Sequence, residues 1–514
     1  MSLSEPRAWC MALMRSRRLA VGLALVPCTA LAVSGFGQVA GHSRVGVRTR
    51  AIAPLSDWAR AREVPGTEVF SRQDMGNDGK ALVPTAITSV ACIAARECAV
   101  SGGHVDGGFN FLVFVAGRHG AKWISAKNVP GDAALAGHGG AADSSEMISS
   151  PFLSQVSCSS PGNCAVAGNY QVPDPSEDTS PLLSNEQAGV WGQAQKIKGN
   201  ATAVLAISCP AAVGDCAAGG FTQSGPVTGQ GGAFVVSEKG GVWGQAQQVP
   251  GSAGPVTTMS CPAAGTCLAG GRGQASFTTP FTAFIVTEQN GQWGHARPVP
   301  GLSRLTSGHS LVDSVSCAGT GDCAVGGTLT DRSGHVQVFV VDEHHGVWGR
   351  ARLMPGLAAL NLGGHSALAQ ISCGAAGFCS AGGWYRNLKG RVRQQAWVAS
   401  EVGGQWRRAE KVPGTTALNT GGNAGVSSVS CIAASCVAGG WYAVAPFAGS
   451  GFLVVERHGS WRKAAQVRGL AALNTGGNPA VTSASCARSG WCAAVGEYTD
   501  RSSGETRMFV ASER

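Results

Sequence analysis

Charge is scarce in this chain. Asp, Glu, Lys and Arg together make up 13% of its 514 residues, about half the share usual in soluble domains. Aromatic residues are few as well, at 6%, and only four of them are tyrosines. No stretch beyond the N-terminal segment reaches the roughly 18 consecutive apolar residues of a membrane-spanning helix, and none carries a sustained helical period. These gaps exclude a polybasic nucleic-acid surface, a helical bundle and a helical membrane span in the mature chain. What is abundant is Gly, at 75 residues, together with short Val- and Ala-rich runs broken by Gly, Pro and Asn. That pattern predicts an all-β protein of short strands and tight turns.

The N-terminus stands apart. Arg15, Arg17 and Arg18 precede the apolar run "LAVGLALVPCTALAV" from Leu19 to Val33, too short to cross a bilayer comfortably and matched to a secretory signal. Ala30-Leu31-Ala32 supplies a cleavage site of the A-x-A kind. The expected organisation is an export signal over 1–32, a flexible leader over 33–57 and one domain over 58–514, located outside the cell or at the cell envelope. Removing residues 1–32 takes away four Arg and one Glu, lowering the formal charge from +9 to +6. That mild balance gives no reason to expect a nucleic-acid partner.

The eighteen cysteines are not scattered. Apart from Cys10 and Cys28, they form local pairs. Cys92 goes with Cys98, Cys158 with Cys164, Cys209 with Cys216 and Cys261 with Cys267. Cys317 goes with Cys323, Cys373 with Cys379, Cys431 with Cys436 and Cys486 with Cys492. In an exported chain such pairs read as a disulfide framework. The alternative, metal ligation, fits less well, because the spacing exceeds the usual two to four residues and no His follows at a fixed offset. No metal and no cofactor is expected.

Two further elements recur between the pairs. One is an aromatic-valine run ending in Glu, as in "AFVVSE" (Ala233–Glu238) and "VFVVDE" (Val338–Glu343). The other is a Trp segment such as "WGQAQQVPG" from Trp243, with Ala three residues and Gly eight residues after each Trp. Each unit therefore reads as four strands, at a repeat length suited to propeller blades. The ends are ragged. The chain closes on "MFVASER" with no Trp segment after it, while "WARAREVPG" from Trp58 precedes the first cysteine pair. Joined, these two ends complete a unit and leave no open sheet edge. The expectation is an eight-bladed β-propeller with four strands and one disulfide per blade, its ring closed by the N-terminal strand in the last blade. The eight Trp residues are expected to pack between blades.

Glu186, Glu238, Glu288, Glu343, Glu401 and Glu456 each stand five residues before a Trp, with Gly240 and Gly403 between them in two units. This resembles the Asp-box of sialidase-type propellers, S-x-D-x-G-x-x-W, with Glu in place of Asp and Asn290, His345 or Ala188 in the glycine slot. In that family the box implies a structural turn between the third and fourth strands. A sialidase nucleophile cannot be matched, since Tyr170, Tyr385, Tyr442 and Tyr498 all occupy one repeated slot, six residues after their second cysteine. The "SC-x5-C-x-A-x-G" repeats are also similar to those of exported actinobacterial propellers of unassigned role, a likeness that implies export and the repeat fold but no activity.

Function in a propeller usually sits on loops over the central channel. With the fourth strand outermost, the blade-to-blade links and the loops between second and third strands share one face. His309, His365, Asn423 and Asn478 each stand eight residues before their unit's first cysteine, and Asn361, Asn419 and Asn474 form a second row in "LNLGGH" and the two "LNTGGN" links. These seven are the candidate ligand-binding residues at the channel mouth, weighed against a plain Asn-Gly turn. The leading expectation is an exported, monomeric, non-catalytic propeller that binds or displays at the cell envelope, with a polysaccharide or an extracellular protein as partner. The rivals are a polysaccharide-acting glycoside hydrolase or lyase and a purely structural surface protein.

Overall fold

The computed structural model describes residues 52–73, 85–106, 110–136, 154–171, 179–222, 231–274, 279–387, 393–445, 448–474, 476–500 and 505–514. The expected export signal and most of the leader lie outside them. Eight antiparallel sheets follow one another around a ring, each ordered first to fourth strand. Blade 5 is representative. Its strands are Ser310–Gly319, Asp322–Thr330, Val336–His344 and a split fourth strand, Val347–Trp348 and Arg352–Leu353. First strands are innermost and pack on one another, with Gly476–Cys486 of blade 8 against Ala86–Ala94 of blade 1.

The ring closes as the ragged ends imply. Arg62 and Glu63 pair antiparallel with Val510 and Phe509, and Trp58 bridges Glu513. Trp58 is 2% exposed and shares a core cluster with Phe509. The packed chain begins a little earlier than Trp58. Ile52 is fully buried, and the Ala53 N–H donates to Glu513 Oε1 at 2.8 Å.

All eight cysteine pairs form disulfides across the hairpin of the first two strands, with Cα atoms 3.9 to 4.1 Å apart. In blades 1 to 4, Cys92 is bonded to Cys98, Cys158 to Cys164, Cys209 to Cys216 and Cys261 to Cys267. In blades 5 to 8, Cys317 is bonded to Cys323, Cys373 to Cys379, Cys431 to Cys436 and Cys486 to Cys492. The pairing is the expected one throughout, because the two cysteines stand directly opposite each other where the hairpin turns. The serine before the first cysteine has its own task. Ser485 Oγ accepts the Cys92 N–H at 2.9 Å, Ser157 the Cys209 N–H, and so on through Ser208, Ser260, Ser316, Ser372 and Ser430. Inner strands of neighbouring blades do not form ladders with each other, so these hydroxyls supply partners for backbone donors that would otherwise be stranded. Blade 1 carries Ala91 in this slot.

The Trp segment holds the outside of the ring. In every blade the Ala three residues after Trp donates its N–H to a carbonyl seven residues after the preceding blade's Trp. Examples are Ala61 to Arg468 at 2.6 Å, Ala126 to Pro65 at 2.7 Å and Ala351 to Pro300 at 2.8 Å. The Gly after that carbonyl is left-handed, as at Gly66 (φ 86°), and a Cβ there would come within 2.8 Å of the Ala126 nitrogen. Small Ala and positive-φ Gly are therefore both required by one close blade-to-blade approach.

The Trp rings pack between blades as expected. Trp243 Nε1 donates to Asn185 Oδ1 of blade 2, Trp293 to Ser237 of blade 3, Trp406 to Asp342 of blade 5 and Trp461 to Ser400 of blade 6. In blades 2 to 7 the turn before the Trp uses paired left-handed residues, such as Asn290 and Gly291 at φ 53° and 73°, the geometry that matches strand twist in a two-residue hairpin. One-turn helices open several links, including Leu357–Leu360, Thr415–Leu418 and Leu470–Leu473. Four residues are too few to show a helical period in the sequence.

Candidate site at the channel mouth

Seven of the eight first strands carry a β-bulge a few residues before the cysteine; in blade 5 it lies between Val312 and Ser314, where Asp313 is extra. The bulge presses an inner-strand carbonyl onto the second strand. A Cβ on Gly327 would meet the Leu311 oxygen at 1.9 Å, and one on Gly383 the Ala367 oxygen at 2.1 Å, which is why a glycine recurs there. The bulged residue is partly accessible in each case. These are Thr88, Leu205, Thr257, Asp313, Ala369, Ser427 and Thr482, and among the described first strands Asp313 is the sole charged residue.

One residue beyond that glycine, the second strand ends its shared pattern and the blades diverge. The slot holds Gly103, Asn169 and Phe221 in blades 1 to 3, then Arg272, Thr328, Trp384, Trp441 and Glu497 in blades 4 to 8. It faces the next blade, since two residues earlier a Cβ on Gly382 would meet Val426 and one on Gly439 would meet Val481. Asn169 uses it structurally: its amide accepts from and donates to the Val204 backbone at 2.8 and 2.9 Å. Trp384 and Trp441 cannot do this, and both stay partly exposed at the link face.

The two carboxyl groups of the rim are perturbed. Burial pushes the Asp313 carboxyl up to about 7, against the opposing pull of the Thr328 hydroxyl at 3.1 Å and of Arg272. Glu497 is likewise raised to about 7 by burial, with the Ile87 backbone N–H partly offsetting it. Arg272 is exposed, its guanidinium 4.8 Å from the Phe281 ring.

The sequence-derived candidates fall into two groups. Asn361, Asn419 and Asn474 end the link helices. Asn361 is buried, accepts the His365 N–H at 2.8 Å and donates to the Val336 carbonyl, while Asn474 accepts the Thr499 N–H at 3.2 Å. Asn419 is also buried, and its Oδ1 has no hydrogen-bond partner. His309, His365, Asn423 and Asn478 lie at the rim. His309 Nδ1 accepts the Phe281 N–H and Asn423 Oδ1 the Gln394 N–H, both at 3.0 Å, so each ties its link to the preceding blade. Asn478 is exposed. His365 is stacked on Trp384 with ring centroids 5.3 Å apart and planes 6° from parallel, and the His309 ring is tilted against Phe281 at 5.4 Å. Sequence reasoning passed over Trp384, Trp441, Asp313, Arg272 and Glu497. For all but Asp313 the available signal was the residue five after the second cysteine, the place where otherwise similar units stop agreeing. The loops between second and third strands that follow Tyr170, Tyr385 and Tyr498 lie partly outside the described residues.

No family model matches the chain, and no curated protein matches it. Solved structures do. Sqt1 from Chaetomium thermophilum aligns with 84% of this chain and 97% of its own at 11% identity and a TM-score of 0.43. The β-propeller domain of the Trilobed protease from Pyrococcus furiosus aligns with 74% and 97% at 8% identity and a TM-score of 0.40. The RRP9 WD40 repeats align with 90% and 99% at 9% identity and a TM-score of 0.40. Likeness at this level adds no functional argument.

Proposed function

We propose that this protein is an exported propeller that binds a polysaccharide across the channel mouth of blades 4 to 8. The observation that carries this reading is the pair of partly exposed indoles, Trp384 and Trp441, in one register on consecutive blades. Flat aromatic faces suit the apolar faces of sugar rings. His365, Arg272, Asp313 and Glu497 add hydrogen-bonding groups around them, the mix of apolar platform and few polar anchors expected of a ligand site. Export is supported by the eight disulfides, which persist in oxidising compartments, and by the arginine-led apolar segment at the N-terminus. The outer edge of a blade is cut into two-residue pieces, such as Val347–Trp348 and Arg352–Leu353, which gives a second copy little strand to pair with and supports a monomer.

A hydrolase reading has one specific observation in its favour, the two rim carboxylates raised to about 7. Glycoside hydrolysis pairs a protonated acid with an ionised partner, whereas Asp313 and Glu497 are shifted the same way and sit three blades apart. Binding without turnover is therefore the better fit.

The test is binding to a panel of cell-envelope polysaccharides by affinity electrophoresis. Trp384→Ala and Trp441→Ala should each weaken retention about tenfold, since stacking is worth about 1 to 1.5 kcal/mol, with the melting temperature nearly unchanged. Retention untouched by both changes would overturn the site. Sugar release that disappears in Glu497→Gln would replace it with the hydrolase.

A further inference from the structure

On the face opposite the channel mouth, the junction of blades 5 and 6 departs from the other junctions. Five of the six Glu residues that stand five before a Trp are buried, all but Glu343, and at two junctions the preceding blade offers that Glu a donor. Asn185 Nδ2 reaches Glu238 Oε1 at 2.6 Å, and Ser237 Oγ reaches Glu288 Oε1 at 2.7 Å. In blade 5 the equivalent residue is Asp342, which as a carboxylate has no proton to give. Glu401, 1% exposed, is left with an Oε1 that has no hydrogen-bond partner. Two buried acids thus face each other, an arrangement that costs several kcal/mol unless a positive charge compensates it.

The third group there is His344. Its Nε2 lies 3.5 Å from Glu401 Oε1, and its side chain is 40% exposed, giving an approach from solvent. One ligand atom from each of Asp342, His344 and Glu401 falls within 4.8 Å of the others. Two ligands about 2.1 Å from a tetrahedral ion stand about 3.4 Å apart, close to the His344–Glu401 spacing. Asp342 is already oriented by donors behind it, with Trp406 Nε1 on Oδ1 and Arg352 on Oδ2, both at 2.9 Å. Such outer partners hold a ligating carboxylate in place. With both acids ionised, His344 neutral and Arg352 counted, the charges sum to −1, which a divalent cation would reverse only mildly.

We infer that Asp342, His344 and Glu401 form a binding site for a divalent transition-metal ion of the zinc type, bridging blades 5 and 6. Mixed imidazole and carboxylate ligands suit such an ion better than calcium or magnesium, which prefer all-oxygen shells. Three protein ligands leave one position open toward solvent beside His344, and the metal clips two neighbouring blades together. Blade 1 shows what the site needs. His119 Nε2 is 3.9 Å from Glu186 Oε1 there, but Gly117 stands in the Asp342 slot, so the second buried acid is missing.

The experiment is zinc titration of the full, disulfide-bonded protein after chelator treatment, by calorimetry and by thermal melting. Wild type should bind one zinc ion and melt at higher temperature when zinc is in excess, because a ligand of the native state alone stabilises it. Asp342→Asn should abolish that site while melting no lower than metal-free wild type, since Asn185 shows that an amide serves both the Trp and the Glu. His344→Ala, at a half-exposed position, should weaken binding at least tenfold. Absence of a zinc-dependent melting shift in wild type, or binding by Asp342→Asn equal to wild type, would overturn the assignment.

Discussion

Single atoms carry much of the cohesion between blades. The serine hydroxyl before each first cysteine satisfies a backbone N–H on the next blade in seven of eight junctions. Removing one should leave a donor short of its partner, at about 1 kcal/mol for a neutral hydrogen bond. Ser372→Ala is therefore expected to lower the denaturant midpoint by that amount without changing the slope of the transition. Ala91→Ser should do the reverse at the junction of blades 1 and 2, where the hydroxyl is lacking. An unchanged midpoint in Ser372→Ala would mean that water replaces the hydroxyl at no cost. The serine was legible in the "SC" repeat of seven units, but its partner was not, because the partner belongs to a neighbouring blade.

At the level of strands, buried carboxylates make stability depend on pH. Burial raises Asp313, Glu456 and Glu497 to about 7 and Asp132 to about 6. Each of these acids binds its proton more tightly folded than unfolded. The stability they lend is complete below the unfolded carboxyl range, near 4, and is lost as pH rises through 6 to 7. His104 and His365 oppose this: burial lowers both, so they penalise the fold as pH falls below their ordinary value near 6.5. Four acids outweigh two imidazoles, and the melting temperature should be higher at pH 5.5 than at pH 8. A melting temperature that rises steadily from pH 5.5 to 8 would show that the strand carboxylates are ionised in the native state. Strand order and the cysteine hairpins were readable from the repeat. The bulge in the first strand was not, because an extra residue leaves the apolar pattern of so short a strand almost unaltered.

The ring as a whole depends on its seam. Blade 8 takes its fourth strand from residues near Trp58, and the outer hydrogen-bond chain passes through that strand from Arg468 to Ala61 and from Pro65 to Ala126. Trp58→Ala empties a fully enclosed site, at about 3 to 5 kcal/mol for a buried aromatic. The variant should melt well below wild type and become sensitive to proteolysis first near its N-terminus. Cleavage that begins instead in an internal blade would place the weak point elsewhere. The complete cysteine pairing leaves each blade internally stapled even when the seam opens, so the loss should be local before it is global.

Repetition made the architecture readable in advance. Eight copies of the Cys and Trp elements, most with a Gly-Gly and an aromatic-valine run between them, plus ends complementary to each other, leave few arrangements other than a closed ring, because each sheet must bury both faces against neighbours. What distinguishes one blade from another was decided only by the folded ring. Trp384 and Trp441, in one register on neighbouring blades, and Asp342 opposite Glu401 are separated by whole repeats along the chain. Curvature sets equal positions of adjacent sheets side by side, and a linear pattern records that a slot recurs without recording which residues touch.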